Sequence, residues 1–270
     1  MKIFITGKNG FIAQHLIKRC IQDNHQVESS SQLDDLECLL NKFKPDIICH
    51  LAAELTNEDN MVFSNILLTN TILEYCRRNH VYKFILFGSS SEYGRKESPL
   101  KETDLLEPET MYEGTKAAAT LLTRAYSYTY NIHTVVIRPL SVYGPFEKPN
   151  KLITLLLSGK LKVMNNAYHD WIYIDDFIEA TMCILYHKST LKFDIVNIGL
   201  GVQRSNEDVH RIAETILGRR IDYKSTVNNI GRGVDSVNWV CDNTHLVTEY
   251  GFKPKITLED GMQKFYEHLR

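Results

Sequence analysis

The chain has no long apolar run. Its longest, such as Phe84–Phe87 and Thr134–Ile137, fall far short of the ~20 residues a helix needs to cross a bilayer, so no membrane partner is expected. A basic tail or stripe is also missing. The 31 Lys and Arg are offset by 33 Asp and Glu, for a formal net charge of −2 at pH 7, which argues against nucleic acid as a partner. No two of the six cysteines (Cys20, Cys38, Cys49, Cys76, Cys183, Cys241) form a Cys-x-x-Cys pair, and most sit in apolar runs. They read as small buried hydrophobes rather than disulfides or zinc ligands. The 10 histidines include no His-x-x-x-His or His–Cys grouping, so no metal is expected. The opening Met1-Lys2-Ile3-Phe4-Ile5 runs straight into a glycine turn without the apolar core of a leader peptide, and a cytoplasmic protein is expected.

What is present is alternation. Lys2–Ile5, Gln26–Glu28, Asp46–Leu51, Lys83–Phe87 and Thr134–Arg138 read as short strands. Between them, helical spacing links Ile12, Leu16 and Cys20; then Leu33, Leu36, Leu40 and Phe43; then Val62, Ile66, Leu73 and Cys76. Tyr112–Tyr130 also reads as helix. Strands alternating with helices imply right-handed crossovers and a doubly wound parallel α/β sheet. Ligands of such sheets bind beyond the C-terminal strand ends, where the notable polar residues fall. After Pro145 the strand rhythm weakens, although Trp171–His187 reads as a strand end and helix and Phe193–Ile198 as another strand. The division expected is residues 1–145 plus 169–200 for the sheet domain, and 146–168 plus 201–270 for a smaller C-terminal domain.

The first strand ends in Thr6-Gly7-Lys8-Asn9-Gly10-Phe11-Ile12-Ala13. In this spacing Gly7 makes the tight turn, Gly10 admits a pyrophosphate to the helix N-terminus, and Ala13 lets helix pack on strand. This is a dinucleotide-binding signature. Discrimination between NADP and NAD rests on Val27-Glu28-Ser29-Ser30-Ser31. Glu28 would bind the ribose 2′-hydroxyl of NAD, whereas serines such as Ser29, with Lys8, would accept a 2′-phosphate. NADP is the reading taken, with NAD as the other option.

Farther on, Phe84–Phe87 runs into Gly88-Ser89-Ser90-Ser91-Glu92-Tyr93-Gly94, and Met111-Tyr112-Glu113-Gly114-Thr115-Lys116 opens a helix. Tyr112 and Lys116 are four apart and share a helix face. An ammonium beside a phenol favours phenolate, which allows proton transfer near neutral pH. A serine hydroxyl at the neighbouring strand end would hold the reacting oxygen.

Glycine turn, serine run and Tyr-x-x-x-Lys, in that order, resemble the extended short-chain dehydrogenases/reductases, the NAD-dependent epimerase/dehydratase group. His50-Leu51-Ala52-Ala53, Asn65 in Asn-Ile-Leu-Leu-Thr, Arg138-Pro139-Leu140-Ser141-Val142-Tyr143-Gly144-Pro145, and Trp171-Ile172-Tyr173-Ile174-Asp175-Asp176 match further family segments. The resemblance implies a Rossmann fold with a C-terminal substrate domain, the active site lying in the cleft between them. It implies Ser89, Tyr112 and Lys116 as the catalytic set. Cofactor contacts are implied at Gly7, Lys8, Gly10, Phe11, Ile12, Ser29, Leu51, Ala52, Ala53, Asn65, Tyr112, Lys116 and Pro139. A nucleotide-sugar substrate would meet Ser90, Ser91, Ser141 and Arg232, the last as a diphosphate clamp. A homodimer is compatible with this reading. The chain departs from the family at Ala13, usually glycine, and at His169, usually arginine; the stretch between the second strand and Pro45 is short.

Dehydratases of the family carry Asp-Glu directly after the catalytic hydroxyl residue, where this chain has Ser90-Ser91. The expectation is therefore an NAD(P)H-dependent reductase of a nucleotide-linked 4-keto-6-deoxy sugar, to which Gly88–Gly94 looks closest. The alternatives are a 4-epimerase holding NAD, and a non-catalytic dinucleotide sensor on the same fold.

Overall fold

The structure, a computed structural model, describes residues 1–31, 35–97, 99–188, 190–226 and 238–270. The chain divides into two compact units. The first comprises Met1–Gly94, Leu105–Arg138 and Leu185–Val196; the second comprises Arg95–Asp104, Pro139–Ile184 and Asn197–Arg270.

The first unit is built on β1 (Lys2–Thr6), α1 (Phe11–Gln22), β2 (Gln26–Ser30), α2 (Leu36–Phe43), β3 (Ile47–His50), α3 (Glu58–Met61), a π-helical turn (Val62–Leu67), α4 (Leu68–Asn79), β4 (Lys83–Phe87), a 3-10 turn (Ser90–Tyr93), α5 (Met111–Tyr130) and most of β5 (Thr134–Pro139). With the later β9 (Phe193–Ile198) these strands form a six-stranded parallel sheet in the order β2-β1-β3-β4-β5-β9. Every residue of β3 and β4 is buried, because helices cover both faces of such a sheet and leave no polar side. Phe4, Ile48, Phe84 and Val136, one from each of four strands, pack with Ile72, Leu73 and Cys76 of α4 and Ala119 of α5. Each large apolar side chain buried this way contributes about 1.5–3 kcal/mol. The Rossmann-type fold is thus as expected.

The stretch around Val62–Cys76, which reads as one helix, is three pieces: α3, the π-turn and α4. The wider π-turn places Ser64 and Asn65 inward while Val62 and Phe63 face solvent. Such turns are often found at functional positions.

The second unit holds β6 (Ser141–Tyr143), α6 (Leu152–Leu157), β7 (Val163–Asn165), β8 (Tyr168–Tyr173), most of α7 (Ile174–Tyr186), β10 (Gln203–Ser205), α8 (Asn206–Leu217), β11 (Lys224–Thr226), α9 (Thr244–Tyr250) and α10 (Leu258–Leu269). β8 is the middle strand of a small sheet, antiparallel to β10 and parallel to β6, while β7 pairs with β11. Its anchor is Asp170, a buried carboxylate accepting N–H bonds from Leu200 (2.8 Å), Gly201 (3.0 Å) and Cys241 (3.2 Å). Burial pushes its pKa up to about 6 despite those donors. Among the described residues no helix is long and apolar enough to cross a membrane.

Candidate active site

The sheet order reverses between β1 and β3, so a crevice opens beyond their C-terminal ends. The glycine turn lies there. Gly7 and Lys8 both donate their N–H to Ser30 O, at 2.9 and 3.0 Å, and Gly10 N–H donates to Gly7 O at 2.8 Å. Gly7 has φ +75°, and a Cβ there would stand 2.9 Å from both Cα and N of Ala52. Only glycine fits so close to a neighbouring backbone. Gly10 caps α1 without any side-chain hydrogen bond, which leaves the helix N-terminus open to an anion. Phe11, Ile12, Leu51, Ala52 and Ala53 border this turn and are partly exposed. The cradle therefore fits the pyrophosphate of a dinucleotide.

Ser29 and Ser30 are the last residues of β2. Ser30 is buried and its carbonyl holds the glycine turn, while Glu28 turns an oxygen onto the Ser29 N–H at 2.9 Å. Lys8 is partly exposed.

Beneath the turn runs a polar network that joins Leu51, Ala52 and Asn65, expected as cofactor contacts, to Thr6, His50 and Thr69, which the sequence left without a role. Thr6 Oγ1 accepts from the Leu51 and Ala52 N–H groups, each at 3.1 Å, and stands 2.7 Å from His50 Nδ1. With two donors already aimed at it, the Thr6 hydroxyl donates to Nδ1. His50 is then neutral with its hydrogen on Nε2, donating to Thr69 Oγ1 at 3.1 Å, and Thr69 donates to Asn65 O at 2.8 Å. Burial, with Lys116 nearby, depresses the His50 pKa to about 3. Asn65 accepts from Glu54 N–H at 2.8 Å and donates to Glu54 O and Thr115 Oγ1, both at 3.0 Å. Its amide thus joins the segment after β3 to α5.

α5 begins in a capping box: Thr110 Oγ1 accepts Glu113 N–H, and Glu113 Oε2 accepts Thr110 N–H at 3.1 Å. That box fixes the first turn, which carries Tyr112, partly exposed. One turn on, Lys116 is buried and its ammonium donates to Phe87 O at the end of β4. Burial lowers its pKa to about 8, against the opposing pull of Glu92. Ser89, one residue beyond Gly88 after β4, caps the 3-10 turn, its Oγ accepting Ser91 N–H at 3.1 Å. Ser89, Ser90 and Ser91 are all buried. The buried ammonium of Lys116 and the serine turn thus meet at the end of one strand.

Pro139 and Ser141 belong to the second unit, where Ser141 Oγ and His169 Nδ1 are 3.2 Å apart and His169 packs on Trp171. His169 and Trp171 line a cavity of about 220 Å³ with Leu152, Leu155, Met164 and Asn206. Trp171 Nε1 and Asn206 Oδ1 are buried without a hydrogen-bond partner. Arg232 lies outside the described residues.

Sheet order and glycine turn define a Rossmann-type fold. The chain belongs to the NAD dependent epimerase/dehydratase family, which matches residues 3–199. It is similar to Protein CapI of Staphylococcus aureus, at 25% identity over 99% of this chain and 98% of that protein. It is 23% identical to dTDP-glucose 4,6-dehydratase of Salmonella typhimurium strain LT2, over 99% of this chain and 92% of that one. Among solved structures, UDP-glucuronic acid 4-epimerase from Bacillus cereus, in complex with UDP-glucuronic acid and NAD, superposes with a TM-score of 0.90 at 25% identity, covering 100% of this chain and 99% of that one.

Proposed function

We propose that this protein is a nucleotide-sugar 4-epimerase acting through hydride transfer at C4 of the sugar. The observation that carries the reading is the placement of Lys116: a buried ammonium, one helical turn from Tyr112, anchored where β4 delivers Ser89. NAD, when bound at the Gly7–Gly10 turn, supplies the acceptor and donor of hydride. Tyr112 would take the proton of the C4 hydroxyl and later return it. Lys116 would stabilise the phenolate form of Tyr112, and Ser89 would hydrogen-bond the C4 oxygen. The same chemistry run on both faces of one carbon interconverts C4 epimers without net use of cofactor. Support comes from the family and from the similar epimerase that holds UDP-glucuronic acid and NAD. Those similarities also favour NAD over the NADP expected from Ser29–Ser31.

A second reading, reduction of a 4-keto-6-deoxy sugar nucleotide, is favoured by Ser90-Ser91 standing where a dehydratase has Asp-Glu. One experiment separates the two. The protein is incubated with UDP-glucuronic acid or UDP-glucose plus NAD, and products are followed by NMR. In parallel, a dehydratase-generated 4-keto sugar nucleotide is mixed with NADH or NADPH and nicotinamide absorbance is followed. Appearance of the C4 epimer with unchanged total NADH supports epimerisation; stoichiometric cofactor oxidation only in the second arm replaces it with reduction. Tyr112→Phe should lower turnover by roughly two orders of magnitude or more while leaving NAD binding intact.

We also propose a homodimer formed through the π-turn and α5, where Val62, Phe63, Leu67 and Leu121 are exposed.

A further inference from the structure

The turn after β4 contains a carboxylate that the hydride chemistry does not itself use. Glu92 is fully buried. Its Oε1 accepts the Ser89 N–H at 2.8 Å, and its Oε2 accepts the Thr120 hydroxyl at 2.8 Å and Arg138 Nε–H and Nη2–H, both at 3.0 Å. Arg138 is itself buried, its guanidinium 4.4 Å from the centre of the Tyr93 ring. The donors come from three places: Ser89 at the cap of the 3-10 turn after β4, Thr120 on α5 one turn beyond Lys116, and Arg138 on β5.

We propose that Glu92 is a positioning residue of this site, holding the Ser89 backbone and tying it to α5 and β5 through its buried pair with Arg138. The inference rests on the reading of Ser89, Tyr112 and Lys116 as the reacting set. Stability alone does not account for charge here, because a well-packed apolar pair of similar volume commonly folds as well as a buried ion pair. Geometry does account for it. An apolar side chain at Glu92 would leave the Ser89 N–H without its acceptor and would remove the link from α5 to β5. Gly88 is part of the arrangement, since a Cβ there would collide with Glu92 Oε1.

The charge of Glu92 also acts on Lys116. Two titratable groups from neighbouring elements bear on that ammonium: Glu92, from the turn after β4, and His50, from the end of β3. His50 is neutral at working pH, so Glu92 supplies the charge that opposes desolvation of Lys116. Tyr112 lies on the same helix as Lys116, one turn back.

The test uses two double variants of the full chain. E92Q/R138Q keeps hydrogen-bonding groups without charge; E92V/R138M is apolar. Single Glu92 variants leave a buried guanidinium unpaired and are expected to fold poorly. Folding is checked by circular dichroism and NAD⁺ binding by calorimetry. Turnover is read with UDP-glucuronic acid, and the Lys116 midpoint by NMR of [ε-¹³C]lysine protein, assigned with Lys116→Arg. Both variants should fold and bind NAD⁺ within about threefold of the parent. E92V/R138M should lose roughly 10–100-fold in kcat with KM little changed, in line with misplacement of a reacting group. E92Q/R138Q should lose less, because its amide oxygen still accepts the Ser89 N–H. In both, the Lys116 midpoint should fall, because the Glu92 charge that raises it is gone. An unmoved Lys116 midpoint overturns the proposal, as does parental kcat in folded E92V/R138M. Should the parent convert neither UDP-glucuronic acid nor a 4-keto sugar, the proposed reaction fails while the Lys116 midpoint still decides the role of Glu92.

Discussion

His50 shows how one buried side chain couples the network beneath the glycine turn to acid stability. Its two ring nitrogens are committed, Nδ1 accepting from Thr6 and Nε2 donating to Thr69, so the fold holds the neutral imidazole. The folded-state pKa of about 3 lies below the ordinary 6.5. The sign follows from proton linkage. As pH falls from 6.5 towards 3, the unfolded chain takes up a proton that the folded one refuses, so this contribution to stability is lost across that window. It is complete above pH 6.5. His50→Gln can still accept and donate in the same directions but does not titrate. Calorimetric melting at pH 7.5 and pH 5 should therefore show a smaller drop in Tm for the variant, by several degrees. Parallel curves for the two proteins would sink the assignment.

At the scale of elements, the glycine turn makes a comparable claim. Gly7→Ala forces a side chain into φ +75° and against the Ala52 backbone at 2.9 Å, so a loss of about 1–3 kcal/mol is expected. Gly10 has φ −73° and would meet only Gly7 O, at 3.1 Å. Gly10→Ala should then be milder in Tm, yet weaken NAD⁺ binding by calorimetry, because it narrows the approach to the α1 N-terminus. Equal effects of both substitutions on stability and on binding would remove the distinction drawn between turn and cradle. The turn, β3, β4, β5 and α5 were readable from sequence because their signals are local: apolar runs, spaced glycines, and a Tyr–Lys pair one helical turn apart. β6, β7, β10 and β11 were not, since three residues are too few to display a period of two. The π-turn escaped because one extra residue in a helix hardly disturbs helical spacing. The Glu92–Arg138 pair, 46 residues apart, becomes visible only once β4 and β5 lie side by side. Its local half, a serine followed three residues later by glutamate, is a capping-box pattern that could have drawn notice to Glu92.

The whole molecule raises the question of its assembly. Phe63 is 65% exposed, Leu121 55%, Leu67 51% and Val62 44%. Single exposed apolar residues are ordinary on protein surfaces; here the π-turn packs against α5, so the four fall on neighbouring elements of one unit. Burying a leucine or phenylalanine is worth about 1.5–3 kcal/mol, and a twofold contact buries each such residue twice, once per subunit. An exposed apolar face of this kind suits the homodimer proposed for the 31.2 kDa chain. Sedimentation equilibrium at micromolar concentration should give twice the chain mass for the parent and the chain mass for Phe63→Asp/Leu121→Asp, with unchanged circular dichroism. Neither residue belongs to the network around Ser89, Tyr112 and Lys116, so NAD⁺ binding by the double variant should stay within a few-fold of the parent. A parent that sediments as a monomer, or a double variant that still sediments as a dimer, would show that these side chains do not form the contact.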